Sequence, residues 1–320
     1  MKATTRLVQI AVKVLEARDI YSFELVAQDG QGLLPFSAGS HIDVHLDNGL
    51  VRQYSLCNDP GETHRYMIAV LRDATSRGGS VAMHALEVGQ TIRISDPKNH
   101  FPLAHNAGHS ILLAGGIGIT PILCMAERLS NADASFELHY CSRSADRTAF
   151  AERLRSSSFA ASVQFHYSDG PEAQKLDLTA VVANRRPGTH LYVCGPAGFM
   201  DWVLETARAN SWSEELLHRE YFSAAAIDTS DDGSFEVQVA STGKVIRVDP
   251  NQTVIGALAS HGVEVITSCE QGVCGVCLTR VLEGTPDHRD MFLTSAEQAR
   301  GDQFTPCCSR ALSARLVLDL

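Results

Sequence analysis

Apolar and polar residues alternate with a period of two through much of the N-terminal part of the chain. Val8, Ile10, Val12 and Val14 take every second place, as do Ile42, Val44 and Leu46 between His41, Asp43 and His45. Tyr66, Ile68 and Val70, and then Ile92 and Ile94, repeat the pattern. Successive side chains of a strand point to opposite faces, so this period predicts half-buried β-strands. Turn signals at Asp29-Gly30, Asn48-Gly49, Pro60-Gly61 and Gly78-Gly79 separate them. Together they predict an antiparallel β-barrel over residues 1–105.

From Ser110 the pattern changes. A continuous apolar run, 111–114, leads into Gly115-Gly116-Ile117-Gly118, after which Ile122, Met125, Ala126 and Leu129 recur at helical spacing. Short strands at 136–141, 163–167 and 190–194, with helical stretches between them, complete an open α/β sheet, so residues 106–226 read as an α/β domain. The stretch 223–234, SAAAIDTSDDGS, is small, polar and acidic without periodicity, and its centre, 227–233, predicts a linker. A strand pair at 235–239 and 244–248 around Thr242-Gly243, a helical segment near 254–261 and a closing strand at 315–320 follow. They predict a small third domain of α+β type over 234–320.

Length supports this division, since 320 residues exceed one ordinary core. A formal net charge of -10 sets the chain against nucleic acid and anionic membrane surfaces as partners. Gln9, Lys13, Glu16 and Arg18 interrupt the apolar residues of the N-terminus, and no later run has membrane-spanning length, so the expected location is the cytoplasm. The nine cysteines are odd in number; Cys57, Cys124, Cys141 and Cys194 stand singly, and the other five crowd toward the C-terminus. That is a metal pattern rather than a disulfide framework.

Cys269, Cys274 and Cys277 are spaced C-x4-C-x2-C, and Cys307 follows well downstream. This is the ligand spacing of a plant-type [2Fe–2S] cluster. Gly272 and Gly275 allow the backbone to fold tightly around it and to turn amide N–H groups toward its sulfurs. Structural zinc also takes four thiolates, although it favours two short cysteine knuckles where this chain has one dense triplet. Cys308, beside Cys307, reads as a packed thiol.

Arg52-Gln53-Tyr54-Ser55 on a barrel strand combines a guanidinium for a phosphate, an aromatic ring for a planar cofactor and a hydroxyl. Arg77 and Gly78-Gly79-Ser80 offer open backbone N–H groups at an expected helix N-terminus, where anions bind. The turn Gly115-Gly116-Ile117-Gly118-Ile119-Thr120-Pro121 and the tripeptide Cys194-Gly195-Pro196 each end an apolar strand, so two strand ends converge on one crevice suited to a dinucleotide. Ser142 and Arg143 stand at a third strand end, where an adenosine ribose is expected; Arg143 leaves a 2′-phosphate open.

In this order, and across essentially the whole chain, these segments resemble the phthalate dioxygenase reductase family. The resemblance implies a flavin-binding β-barrel, an α/β nicotinamide domain and a β-grasp-like plant-type ferredoxin domain. It implies FMN held by Arg52, Tyr54, Ser55, Gly78, Gly79, Ser80 and Thr120, with Phe222 as a second ring contact. It also implies NADH on Gly115, Gly116, Gly118, Ser142, Arg143, Cys194, Gly195 and Pro196, with Ser55 and Cys194 positioning the hydride transfer and no protein acid or base. The implied partner is a separate terminal Rieske-type oxygenase, toward which Glu270, Asp287 and Asp290 would present an acidic docking surface. A reductase serving a cytochrome P450 and a redox-sensing module are the other functions compatible with these parts.

Overall fold

Strands β1 (Thr5–Ala17), β2 (Ile20–Ala27), β3 (Ser40–His45), β4 (Val51–Ser55), β5 (Tyr66–Leu71) and β6 (Thr91–Ser95) form one antiparallel sheet in the order β4-β3-β6-β1-β2-β5. The two-residue β7 (Lys98–Asn99) adds to β3. A bridge from Leu56 to Ile68 of β5 brings the two ends of the sheet together, so the barrel closes. Val8, Ile10, Phe23, Leu25, Ile42, Val44, Ile68, Ile92 and Ile94 fill its interior. The alternation of β1 does not carry inward throughout, because the pairing with β2 shifts register between Ile10 and Val12. Beyond the shift Val12 and Val14 face outward, 37% and 44% exposed. Helix α1 (Gly79–Ala85) follows Gly78, whose φ of 94° needs a residue without Cβ.

The computed structural model describes residues 5–28, 30, 32–222, 229 and 232–320, the side chain of Ser295 apart. Within it the chain divides into two units, Met1–Phe222 and Ser223–Leu320. The barrel shares the first unit with a parallel sheet in the order β10-β9-β8-β11-β12. Its strands are β8 (His109–Gly115), β9 (Phe136–Ser142), β10 (Val163–Tyr167), β11 (Thr189–Cys194) and β12 (Leu217–Glu220). The central strand β8 buries Leu112 and Ala114 on one face and Ile111 and Leu113 on the other, as a strand covered on both sides must. Helix α2 (Ile119–Asn131) packs on the first face, while α4 (Leu178–Ala183) and α5 (Ala197–Ala209) pack on the second. Short α3 (Ala151–Arg155) buries Leu154 beside α2. The chain runs outward from β8 to β9 and β10, then returns to β11 on the other side. The order therefore reverses between β8 and β11, where open α/β sheets leave a crevice at their carboxyl ends.

The second unit has a mixed sheet in the order β14-β13-β19-β15-β17, with β13 (Phe235–Val239) and β19 (Arg315–Leu318) parallel inside it. Its other strands are β14 (Val245–Val248), β15 (Thr279–Glu283) and β17 (Gln303–Phe304), and β16 (Pro286–Asp287) pairs with β18 (Arg310–Ala311) separately. Helix α6 (Val254–Ser260) buries Val254, Ala257 and Leu258 against Val237, Ile246 and Leu316. Helix α7 (Ser295–Arg300) starts in a capping box between Thr294 and Glu297.

Of the expected linker, 223–228 and 230–231 lie outside the described residues. Its last part is bound into the second unit. Asp232 accepts from two nitrogens of Arg289 and lies 3.3 Å from Arg310, whose guanidinium also donates to the carbonyls of Gly233 and Gln252. The Asp232 and Arg310 side chains are only 5% and 8% exposed. Removing one partner of such a pair leaves buried charge uncompensated, so Asp232→Ala is expected to destabilise this unit by about 3–5 kcal/mol. Calorimetry on the full chain measures it, and an unchanged transition would show the pair to be idle. No described helix is long and apolar enough to cross a membrane.

Candidate functional site

Arg52 and Tyr54 lie on β4 opposite Val44 and Ile42 of β3. The alternation of a strand sends Ser55 to the other face. The Arg52 side chain lies across the start of α1: a Cβ on Gly79 would come within 2.7 Å of Arg52 Cγ and Nε. Glycine at 79 therefore lets a guanidinium rest against a helix N-terminus, bringing two kinds of N–H donor together as a phosphate requires. Ser80 Oγ lies 2.9 Å from Ser76 Oγ and accepts the Asp73 N–H at 3.2 Å, which ties the preceding loop to the helix. Burial pushes the Tyr54 phenol well above its usual range, so the ring is a neutral apolar surface with a polar tip.

Ser55, 4% exposed, donates from Oγ to Glu220 Oε2 at 3.0 Å. The barrel and the parallel sheet meet through this bond. Glu220 ends β12 in register with Cys194, the last residue of β11, so serine, thiol and carboxyl share one seam. Burial pushes the Glu220 carboxyl up to about 7, against the opposing hydrogen bond from Ser55, although the residue keeps some surface. Burial, and then the Glu220 charge, hold the Cys194 thiol well above its usual range. Cys194 is thus a neutral, fully buried thiol and no nucleophile. Sequence alone did not single out the Glu220 carboxyl, which only its bond to Ser55 brings to this seam.

The glycines of the crevice answer to packing. A Cβ on Gly118 would meet the Cys194 carbonyl at 2.2 Å, and one on Gly195 would lie 2.9 Å from Gly115 Cα. Gly115 in turn is covered by Phe199 of α5. Only bare backbone lets the first turn of α2 sit on the end of β11, and this contact makes β8 and β11 share one mouth. Thr120 is buried in α2 and donates to the Ile117 carbonyl at 3.1 Å, which fixes the turn. Pro196 caps α5, and Phe222, 37% exposed, follows β12 by two residues.

At the adenosine end the structure separates the two expected residues. Ser142 is buried, with its hydroxyl 2.7 Å from Thr148 Oγ1 and donating to the Ser144 carbonyl at 3.3 Å, so it is spent within the protein. Arg143 is exposed. Its carbonyl accepts the N–H of Asp169 at 3.1 Å, which places exposed Asp169 beside it at the end of β10. A carboxylate in such a place suits a free ribose 2′-hydroxyl.

In the second unit Cys269, Cys274, Cys277 and Cys307 are all buried to 7% exposure or less. The N–H of Gln271 donates to Cys269 Sγ at 3.4 Å and that of Val276 to Cys274 Sγ at 3.5 Å. Gly272 and Gly275 hold φ of 73° and 68°, and a Cβ on Gly275 would strike the Phe292 ring at 2.3 Å. Among the described residues no three His, Cys, Asp or Glu side chains gather around a single point. Four buried cysteines, two of them under backbone N–H groups, fit the ligand set of an iron–sulfur cluster. The expected acidic docking surface does not form. Asp290 is buried and accepts the N–H groups of Phe292 and Leu293, and Asp287 is paired with Arg289, so only Glu270 is exposed.

Comparison with known proteins agrees with this geometry. Residues 237–312 match the 2Fe-2S iron-sulfur cluster binding domain and residues 112–205 the oxidoreductase NAD-binding domain. The chain is 59% identical over 307 residues to a vanillate O-demethylase oxidoreductase of Pseudomonas putida, covering 95% of this chain and 96% of that one. A solved phthalate dioxygenase reductase, described as a modular structure for electron transfer from pyridine nucleotides to [2Fe-2S], superposes with a TM-score of 0.78 at 40% identity, covering 99% and 98%. A type IV self-sufficient cytochrome P450 monooxygenase superposes with a TM-score of 0.85 at 38% identity, over 99% of this chain but 41% of the larger protein.

Fold and site thus define an NADH-dependent iron–sulfur oxidoreductase built from a reductase module and a [2Fe–2S] ferredoxin domain. The chain belongs to the family of phthalate dioxygenase reductase and vanillate O-demethylase oxidoreductase, the reductase components of oxygenase and demethylase systems.

Proposed function

We propose that this chain supplies electrons to a terminal Rieske-type oxygenase that demethylates or hydroxylates an aromatic acid of the vanillate kind. The near full-length identity to vanillate O-demethylase oxidoreductase carries this reading. The cofactor proposed for the barrel is FMN, with its phosphate between Arg52 and the α1 N-terminus at Gly78, Gly79 and Ser80. Its ring would lie among Tyr54, Ser55, Thr120 and Phe222. The Gly79 cradle supports the fit, since a Cβ there would take the space of the Arg52 side chain. FMN, when bound, converts the two-electron chemistry of a nicotinamide into the one-electron chemistry of an iron–sulfur cluster.

The residues do the rest. Gly115, Gly116, Gly118, Gly195 and Pro196 open the crevice for the dinucleotide, and Arg143 and Asp169 flank its adenosine end. Asp169 supports NADH over NADPH, because its charge opposes a 2′-phosphate. Cys194 packs as a neutral wall beside the nicotinamide, and Ser55 holds Glu220 in place. A nicotinamide that gives up hydride acquires positive charge, and the Glu220 carboxylate stands where that charge is stabilised. Cys269, Cys274, Cys277 and Cys307 would hold the [2Fe–2S] cluster, which carries single electrons. The setting is the cytoplasm, where thiols stay reduced.

Arg52→Ala removes a charge-assisted bond to phosphate of about 1.5–3 kcal/mol. It is expected to weaken FMN retention about tenfold to a hundredfold, measured as flavin released on dialysis. The function itself is tested by visible spectroscopy and chromatography of the extracted flavin, followed by NADH-driven turnover with purified vanillate-type oxygenase. Turnover with a cytochrome P450 and none with the oxygenase would favour the second reading, for which the match to the self-sufficient P450 speaks.

A further inference from the structure

The glycines that open the dinucleotide crevice do so unequally. A Cβ on Gly116, whose φ is 53°, would meet nothing within 4 Å, so its backbone is bare at the entry to α2. Gly118 lies under the Cys194 carbonyl. Gly115 and Gly195 have their side-chain space taken by a single ring. A Cβ on Gly115 would lie 2.7 Å from Phe199 Cδ1 and 3.1 Å from its Cε1, and one on Gly195 would lie 3.0 Å from the same Cδ1. Ala114 and Cys194 pair in register, so these two glycines are the next step along β8 and β11, at the carboxyl ends where the crevice opens. The Phe199 ring therefore lies across both strand ends.

Local structure fixes it there. Phe199 belongs to the first turn of α5, where its N–H donates to the Pro196 carbonyl at 3.0 Å. Inward it packs against the core that includes Leu113, Val193 and Val203. Trp202 flanks it, with ring centroids 6.2 Å apart. Phe199 nevertheless stays half-buried. A half-buried ring with glycine beneath it and no strand beyond it presents apolar surface at the mouth of the crevice. The two sides of that mouth thus differ in chemistry. Bare backbone at the start of α2 suits phosphate, whereas a hydrocarbon ring gains nothing from an anion and favours another planar ring.

We propose that Phe199 is the surface against which the nicotinamide ring of NADH lies, with the charged half of the dinucleotide left to the α2 side at Gly116. Phe199 is then a binding residue for the reacting end of the substrate, and the bare Gly115 and Gly195 serve to seat it. The inference rests on the crevice being the NADH site.

The test is calorimetric titration of the loaded full chain with NAD⁺ and, separately, with ADP-ribose, which lacks only the nicotinamide. The parent, Phe199→Ala and Phe199→Leu are compared. Phe199→Ala is expected to weaken NAD⁺ about tenfold, the upper range for one aromatic contact, and to leave ADP-ribose within about twofold of the parent. Phe199→Leu, which keeps apolar volume without a flat face, is expected to fall between. With ferricyanide as acceptor, KM for NADH should rise in the same order while kcat stays within about twofold, as loss of uniform binding requires. Equal weakening of both ligands would overturn the proposal by making the ring a support of the whole crevice, and unchanged or tighter NAD⁺ binding would overturn it outright. If Phe199→Ala does not fold, Phe199→Leu carries the comparison; failure of both to fold would overturn the proposal by making Phe199 a core residue. A folded parent that binds neither NAD⁺ nor ADP-ribose would instead refute the crevice assignment, so the two failures are separable.

Discussion

Cys277→Ser is expected to abolish the iron–sulfur spectrum and to cut NADH-driven reduction of cytochrome c or of the oxygenase by more than about 100-fold, beyond what loss of a supporting contact costs. NADH oxidation by ferricyanide is expected to continue at near the parent rate. The reason lies in the division of the chain: Cys277 belongs to the second unit, while Ser55, Cys194 and Glu220 belong to the first. The loop is also held without the metal, since Thr279 donates to the Cys277 carbonyl at 2.9 Å. Equal loss of both activities would show that the thiol is needed for folding of the whole chain.

Glu220→Gln is expected to slow NADH oxidation at alkaline pH by about 10²–10³-fold, the range for one removed electrostatic stabiliser. In the parent the rate should rise with pH through about 7, because the carboxyl titrates there and only its ionised form opposes positive charge on the nicotinamide. The variant should show no such step. Stability gives a second reading of the same group. Folding raises this pKa from 4.5 to about 7, so the stabilisation is complete below the lower value and is lost as pH rises through the higher one. Glu220→Gln should therefore unfold at a higher temperature than the parent above about pH 8, but with no such gain near about pH 4. A pH–rate step that survives in Glu220→Gln would assign it to another group.

Much of this was legible in the chain because the signals are local. The strands 136–142, 163–167, 189–194 and 235–239 follow from short apolar runs between turn residues. The dense triplet Cys269, Cys274 and Cys277 follows from a spacing that one loop imposes on itself. Where a reading depended on how side chains meet in the folded chain, it was incomplete. Val12 and Val14 have the periodicity of a core strand, yet a register shift against β2 turns them outward. Asp290 has the composition of a docking surface, yet backbone N–H groups of its own loop bury it. Ser142 stands at the right strand end, but Thr148 takes its hydroxyl.

The histidines make the same point. No pair is spaced for recognition, yet His139 stacks on His166, His190 on His218 and His41 on His100, with ring centroids 5.2–5.3 Å apart. Two of these pairs bridge adjacent parallel strands, and sequence separation carries no trace of such a meeting.

What the sequence alone determined is the set of modules and the chemistry each can hold, because glycine turns, strand ends and clustered thiols are properties of contiguous residues. What only the tertiary structure decided is which groups act together. Ser55 and Glu220 are 165 positions apart and become partners through barrel–sheet packing. Gly79 is understood through Arg52, and Gly115 through Phe199. The physical reason is common to all three: a short contact, a buried charge and a shared proton are set by packing in space, and packing is not written in the spacing of residues along the chain.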